Sequence, residues 1–218
     1  MVLVPLGALL IGSVNVVVLE SILDMASSLA IWHIDKNEQS IGPWGHLAVA
    51  VIAGTALGSM MLSRISVERF NLLLGILVVL LAVWFMAGRP GVPESIREGR
   101  VGGRKFQEMV VCTIAGLLGG ITGISGPPLI LYFGSSLAKG PFRIVMTRLF
   151  LVQSAVRIVI YGATGLINTG FLPWLFVSTP VLLLSVYVGN KVFVRLSDTW
   201  FPRVVGMILL VAGMKLFF

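Results

Sequence analysis

The sequence predicts an all-α, polytopic transmembrane helix bundle made of two repeated halves, with broken or re-entrant helices at Pro5 and Pro127-Pro128. Three observations carry that class. Of 218 residues, 57% are hydrophobic and only 11% are charged, against about 25% charged in a soluble domain. Uncharged blocks close to the ~20 residues that cross a ~30 Å hydrocarbon core recur along the chain. Finally, the two halves share punctuating residues at near-constant spacing. A mean hydropathy of +1.00 agrees. Such a composition excludes a soluble enzyme, a nucleic-acid-binding domain and a secreted disulfide scaffold.

The pI of 10.2 does not point to nucleic acid, because the basic residues are scattered between apolar blocks. In a membrane protein that pattern reports topology and anionic headgroups. Cys112 is the single cysteine, and His33 and His46 lie at the ends of apolar blocks, so neither a disulfide nor a metal site is expected, and no cofactor. MVLVPLGALL lacks a positive n-region, so no cleaved signal peptide is expected. The partners expected are a small anion, bilayer lipid and, optionally, further copies of the chain.

Taken in order, a short apolar piece at 2–12 breaks near Gly12-Ser13, and a span follows over 14–33. His33 to Pro43 reads as a polar turn. Trp44–Leu62 is a second span, Ser63–Arg69 a turn, and Phe70–Gly88 a third span. The long hydrophilic stretch 89–107 holds two Pro and four Gly and divides the chain. Met109–Ala138 is uncharged and read as one pass, interrupted at Pro127-Pro128. Lys139–Arg148 reads as a basic turn. Blocks at 149–166, 172–193 and 203–218 complete seven spans.

An offset of 131 residues aligns 58–85 with 189–216, so that Gly58 meets Gly189, Arg64 meets Arg195, Ser66 meets Ser197 and Gly75 meets Gly206. At slightly smaller offsets Val4-Pro5-Leu6 meets Pro127-Pro128-Leu129, and Pro43-Trp44 meets Pro173-Trp174. The organisation expected is a first repeat (1–88), a hydrophilic connection (89–107) and a second repeat (108–218). The first repeat is expected to lack its opening helix, since only four residues precede Pro5 where about 20 precede Pro127. Duplicated membrane units build secondary transporters, with the substrate at the interface between repeats.

The stretch Gly116–Leu129 is the most informative. Gly116/Gly120 and Gly119/Gly123 are each four apart, so one helix face lacks side chains and another backbone can approach it. Ser125-Gly126-Pro127-Pro128 then stops the helix. Broken helices at membrane depth are tolerated only against protein or a wet cavity. The N-terminus of the next half-helix offers an anion site.

The run GGITGISGPPLILYF (119–133), followed by Phe142-Arg143, resembles the second-repeat signature of the TauE/SafE family of sulfite and organosulfonate transporters. Val4-Pro5-Leu6 resembles what remains of the first-repeat element. The likeness extends through the repeat over essentially the whole chain. It implies bundled helices in two four-helix repeats, and export or uptake of small sulfur-containing or related carbon anions across the bacterial inner membrane.

Intramembrane charges are the second lead. A charge at the centre of a span costs at least ~2.5–3.5 kcal/mol and so needs a partner or a function. Glu20 and Asp24 lie four apart and share a helix face; Arg157 lies well inside its block. Arg157 is expected either to hold the anion or to pair with an acidic residue and fix packing. The candidate substrate-binding residues are therefore Pro5, Gly120, Gly123, Ser125, Gly126, Pro127, Pro128 and Arg157, with Glu20 and Asp24 as proton-coupling candidates. His46 beside Trp44 reads as interfacial.

Counting seven spans puts the turns 63–69, 139–148 and 194–203 on one face, taken as cytoplasmic because short basic loops dominate orientation. The function expected is an ion-gradient-coupled secondary transporter of small anions. A channel-like anion permease and a non-transporting assembly subunit are the alternatives. A membrane enzyme lacks a nucleophile–base pair or metal ligands.

Overall fold

The computed structural model describes residues 12–34, 44–86, 101–102, 104–137, 139–167, 173–180 and 184. Among these, all regular structure is α-helical: α1 (Ser13–Ile34), α2 (Gly45–Leu62), α3 (Val67–Met86), α4 (Lys105–Thr122), α5 (Gly126–Ser136) and α6 (Lys139–Ala163). A further helical stretch covers 173–180. Among the described residues, three helices are long and apolar enough to cross a membrane, at Val14–His33, Gly45–Leu62 and Pro141–Ala163. Pro5, the span 203–218 and most of 172–193 lie outside the described residues, as does the segment 189–216 that would test the repeat by superposition.

Helix α2 turns mostly small and polar residues inward and several large apolar ones outward. On α2 the buried stripe is Leu47, Ala50, Val51, Gly54, Thr55, Gly58, Ser59 and Leu62, at helical spacing, while Val49, Ile52, Leu57, Met60 and Met61 are exposed. A soluble helix would show the reverse. Where lipid replaces water, apolar side chains lose nothing by facing out, and close packing between helices decides the fold.

The tightest seam joins α2 to α4. A β-carbon on Gly116 would lie 2.6 Å from the Val51 carbonyl oxygen, and one on Gly120 2.5 Å from that of Thr55. From the other side, β-carbons on Gly54 and Gly58 would collide with the Thr113 and Leu117 carbonyls. Two glycine pairs, each four residues apart, interlock. The glycine face expected from sequence is therefore a packing face.

Contacts along the seam also fix direction. His46 reaches Glu108 at the start of both helices, and Thr113 Oγ1 donates to Ala50 O (3.5 Å) further along. Near the far end, Gly58 meets Leu117 and Gly120. Thus α2 and α4 run parallel. α6 runs with them, since the Arg148 guanidinium lies 5.4 Å from the Trp44 ring centroid and Tyr161 OH donates to Gly120 O (2.6 Å).

Helix α5 runs the other way. Its start approaches Gly119 and Gln153 through Ser125, while Gly134 near its end faces Phe142 at the beginning of α6. Leu129, Phe133 and Leu137 pack in one apolar cluster with Leu47, Cys112, Ile144 and Leu149. So α4 and α5 form a hairpin that enters and leaves at one end of the bundle. This corrects the expectation that 109–138 makes one pass.

Further corrections follow. The basic segment Lys139–Arg148 is no turn but the first ten residues of α6. Lys105 to Gln107, read with the hydrophilic connection, already belong to α4. Because the hairpin adds no net crossing, the Ser63–Ser66 turn and the start of α6 lie at opposite ends of the bundle. The single face assigned to both from sequence does not hold.

Candidate functional site

The helix break lies at Gly123-Ile124-Ser125, slightly before the position expected. Gly123 adopts φ +78°, a left-handed conformation open to glycine, and its N–H closes α4 on Gly119 O (2.9 Å). Thr122 Oγ1 accepts the Ile124 N–H at 3.2 Å. Gly126, Pro127 and Pro128, expected to be non-helical, instead form the first turn of α5. Proline is tolerated there because the leading N–H groups have no intrahelical acceptor. It also weakens the anion site expected from the helix end, since only Gly126 and Leu129 among 126–129 can donate.

One face of α6 supplies what that helix end lacks. Gln153, Arg157 and Tyr161 follow at four-residue spacing and are fully buried. They form a polar ladder about 12 Å long at 1.5 Å per residue. Gln153 lies at the middle of the candidate span Pro141–Ala163. Its Oε1 would lie 3.5 Å from a β-carbon on Gly119, as Ser125 Oγ would at 3.3 Å, so amide and hydroxyl converge over that glycine. The break therefore lies against α6, with Gly119 beside Gln153 and Gly120 beside Tyr161.

Arg157 Nη2 donates to Asp24 Oδ2 at 2.6 Å, joining α6 to α1. The Asp24 side chain is 32% exposed and that of Arg157 0%. Glu20, one turn before Asp24, is buried and close enough to act electrostatically on both Arg157 and Tyr161. The packing partner expected for Arg157 is thus present.

That partner leaves much of Arg157 unused. Among the described residues its Nε and Nη1 have no hydrogen-bond partner, and neither do both amide atoms of Gln153 and Thr55 Oγ1. A buried polar group without a partner costs roughly 1–3 kcal/mol. A ladder carrying several such atoms lies beside the broken helix. Gly120 takes part differently: it packs in the α2–α4 seam, and its carbonyl holds Tyr161.

Sequence reasoning brought out Ser125, Asp24, Glu20 and Arg157, which the structure gathers around the break and the α1–α6 contact. Gln153, Thr55, Ser59 and Tyr161 escaped it. Their only signal was polarity at helical spacing, Gln153-Arg157-Tyr161 on α6 and Thr55-Ser59 on α2. A second polar centre lies at the helix starts. There Glu108 accepts His46 Nε2–H (2.6 Å) and the Gly102 N–H (3.0 Å to each oxygen), tying the turn before α4 to α2. No cluster of three or more His, Cys, Asp or Glu suited to a metal occurs among the described residues.

A model of the sulfite exporter TauE/SafE family matches residues 1–216 of the chain. No curated protein and no solved structure matches it.

Proposed function

The chain belongs to the TauE/SafE family of membrane transporters, and from that premise we propose that it is a secondary transporter carrying sulfite, organosulfonates or similar small sulfur or carboxylate anions across the bacterial inner membrane, driven by an ion gradient. The anion lies at the helix break. Arg157 supplies the positive charge, with Gln153, Ser125 and the Gly126 and Leu129 amides as neutral donors. The observation that carries this reading is the sealed Arg157, with Nε and Nη1 unpartnered beside a broken helix. A guanidinium fork matches two oxygens of a sulfonate or sulfite group, which a lysine ammonium meets only as a point charge.

Uptake of radiolabelled sulfite and of a sulfonate series into proteoliposomes tests the proposal. Saturable flux that follows an imposed gradient is expected, and it fails in Arg157→Gln. Flux that does not saturate and ignores the gradient would make the protein a channel-like permease. No flux of any of these anions would reject the reading.

A further inference from the structure

The site's charges do not balance once an anion enters. Before it arrives, Arg157 is neutralised by Asp24 at 2.6 Å, with the Glu20 carboxyl one turn away on the same face of α1. Tyr161 is the other titratable group beside them, on α6. Helix α3, which touches α1 lightly, carries its charges Glu68 and Arg69 exposed in its first turns. Besides Arg157, no lysine or arginine faces the pair among the described residues. A bound monoanion would leave one guanidinium facing two negative groups at a site sealed from water on the arginine side. Buried ions are tolerated when matched and are costly when a charge is left over.

We propose that the transported anion and Asp24 compete for Arg157, and that Asp24 takes up one proton each time the anion binds, so that anion and proton cross together. This rests on the reading of Arg157 as the anion's ligand. The anion displaces the Asp24 carboxylate from Nη2. The freed carboxylate, beside Glu20 and without its cation, becomes a carboxylic acid. On release the proton leaves first or with the anion, and Asp24 returns to the guanidinium. Accessibility fits this order. Asp24 is the more open end of the pair at 32% exposure, whereas Arg157 at 0% can only exchange one counter-ion for another. Asp24, not Glu20, is the proton carrier. For a monoanion the cycle moves no net charge.

Methanesulfonate is the probe, because it stays a monoanion and any proton counted comes from the protein. Calorimetric titration of the purified full chain, in buffers of different ionisation enthalpy, counts protons taken up on binding. Wild type is expected to take up about one proton per anion, by linkage. Asp24→Asn should bind the anion with a count near zero, and Glu20→Gln should keep the wild-type count. In proteoliposomes an acidic source side should speed methanesulfonate flux several-fold, while a potassium diffusion potential should not. Binding by wild type with no proton uptake overturns the proposal and leaves the anion site standing. So does an unaltered count in Asp24→Asn, or a count lost only in Glu20→Gln. If Asp24→Asn does not fold, the wild-type count and the two gradients still decide. Absence of binding by wild type removes the anion site and the proposal with it.

Discussion

Gln153 separates binding from folding more sharply than any other residue of the site. Both its amide atoms are buried without partners among the described residues, so Gln153→Leu removes no internal hydrogen bond and relieves a desolvated polar group. Thermal stability should hold or rise, while the half-saturation concentration for sulfite or a sulfonate should increase about tenfold, the loss of one ordinary hydrogen bond of ~1–1.5 kcal/mol. A stability loss with unchanged transport, measured on one preparation, would reduce Gln153 to a packing residue. Arg157→Gln should act differently, lowering both stability and affinity, because Asp24 and the anion both lose their cation. Arg157→Lys should fall between, keeping charge but not the fork. Arg157 and Asp24 were legible in the sequence because a charge among apolar residues stands out. Gln153 was not: a neutral amide interrupts an apolar block too weakly to be seen without knowing which way it points.

At the scale of the helix, glycine does two jobs that its spacing alone cannot separate. Gly120 is pressed against the α2 backbone, and Gly120→Ala would drive a β-carbon to 2.5 Å from the Thr55 carbonyl. Neither backbone can give way without opening the seam, so the substitution should cost at least ~1–3 kcal/mol. Gly134→Ala is its control. The new methyl would meet Phe142 at 3.7 Å and Ile130 at 3.8 Å, ordinary contacts, and relief of glycine's backbone entropy should stabilise the helix by roughly 0.5–1 kcal/mol. Melting of the purified variants in detergent checks both, and equal effects would show that the seam yields. The break shows a similar ambiguity. The double proline drew the expected stop to 125–128, but proline is at home in a first turn. The chain is turned by Gly123, whose positive φ no spacing rule reveals.

The whole molecule turns on parity. Read from sequence, 109–138 was one pass; as the α4–α5 hairpin it contributes none, and every later segment changes sides. Helices and approximate ends were legible because apolar block length dictates them. Direction was not, because a hairpin and a kinked span have the same hydropathy. The consequence reaches orientation. Arg104 and Lys105 open α4, and Lys139, Arg143 and Arg148 lie in the first turns of α6, at one end of the bundle; Arg64 and Arg69 lie at the other. Arg195 and Arg203, also counted in the sequence tally, are outside the described residues. The positive-inside rule now favours the α4 and α6 starts as cytoplasmic, reversing the assignment of the Arg64 turn. Cysteines placed at Ser63 and Pro141, both exposed, report this directly. Cys112 is fully buried, so it should contribute little background. In sealed right-side-out vesicles a membrane-impermeant maleimide should label Ser63→Cys at once, and Pro141→Cys only after permeabilisation. Inverted vesicles should exchange the two. Labelling of both from one side would mean that the chain crosses between α4 and α6 after all, and the hairpin would have to be abandoned.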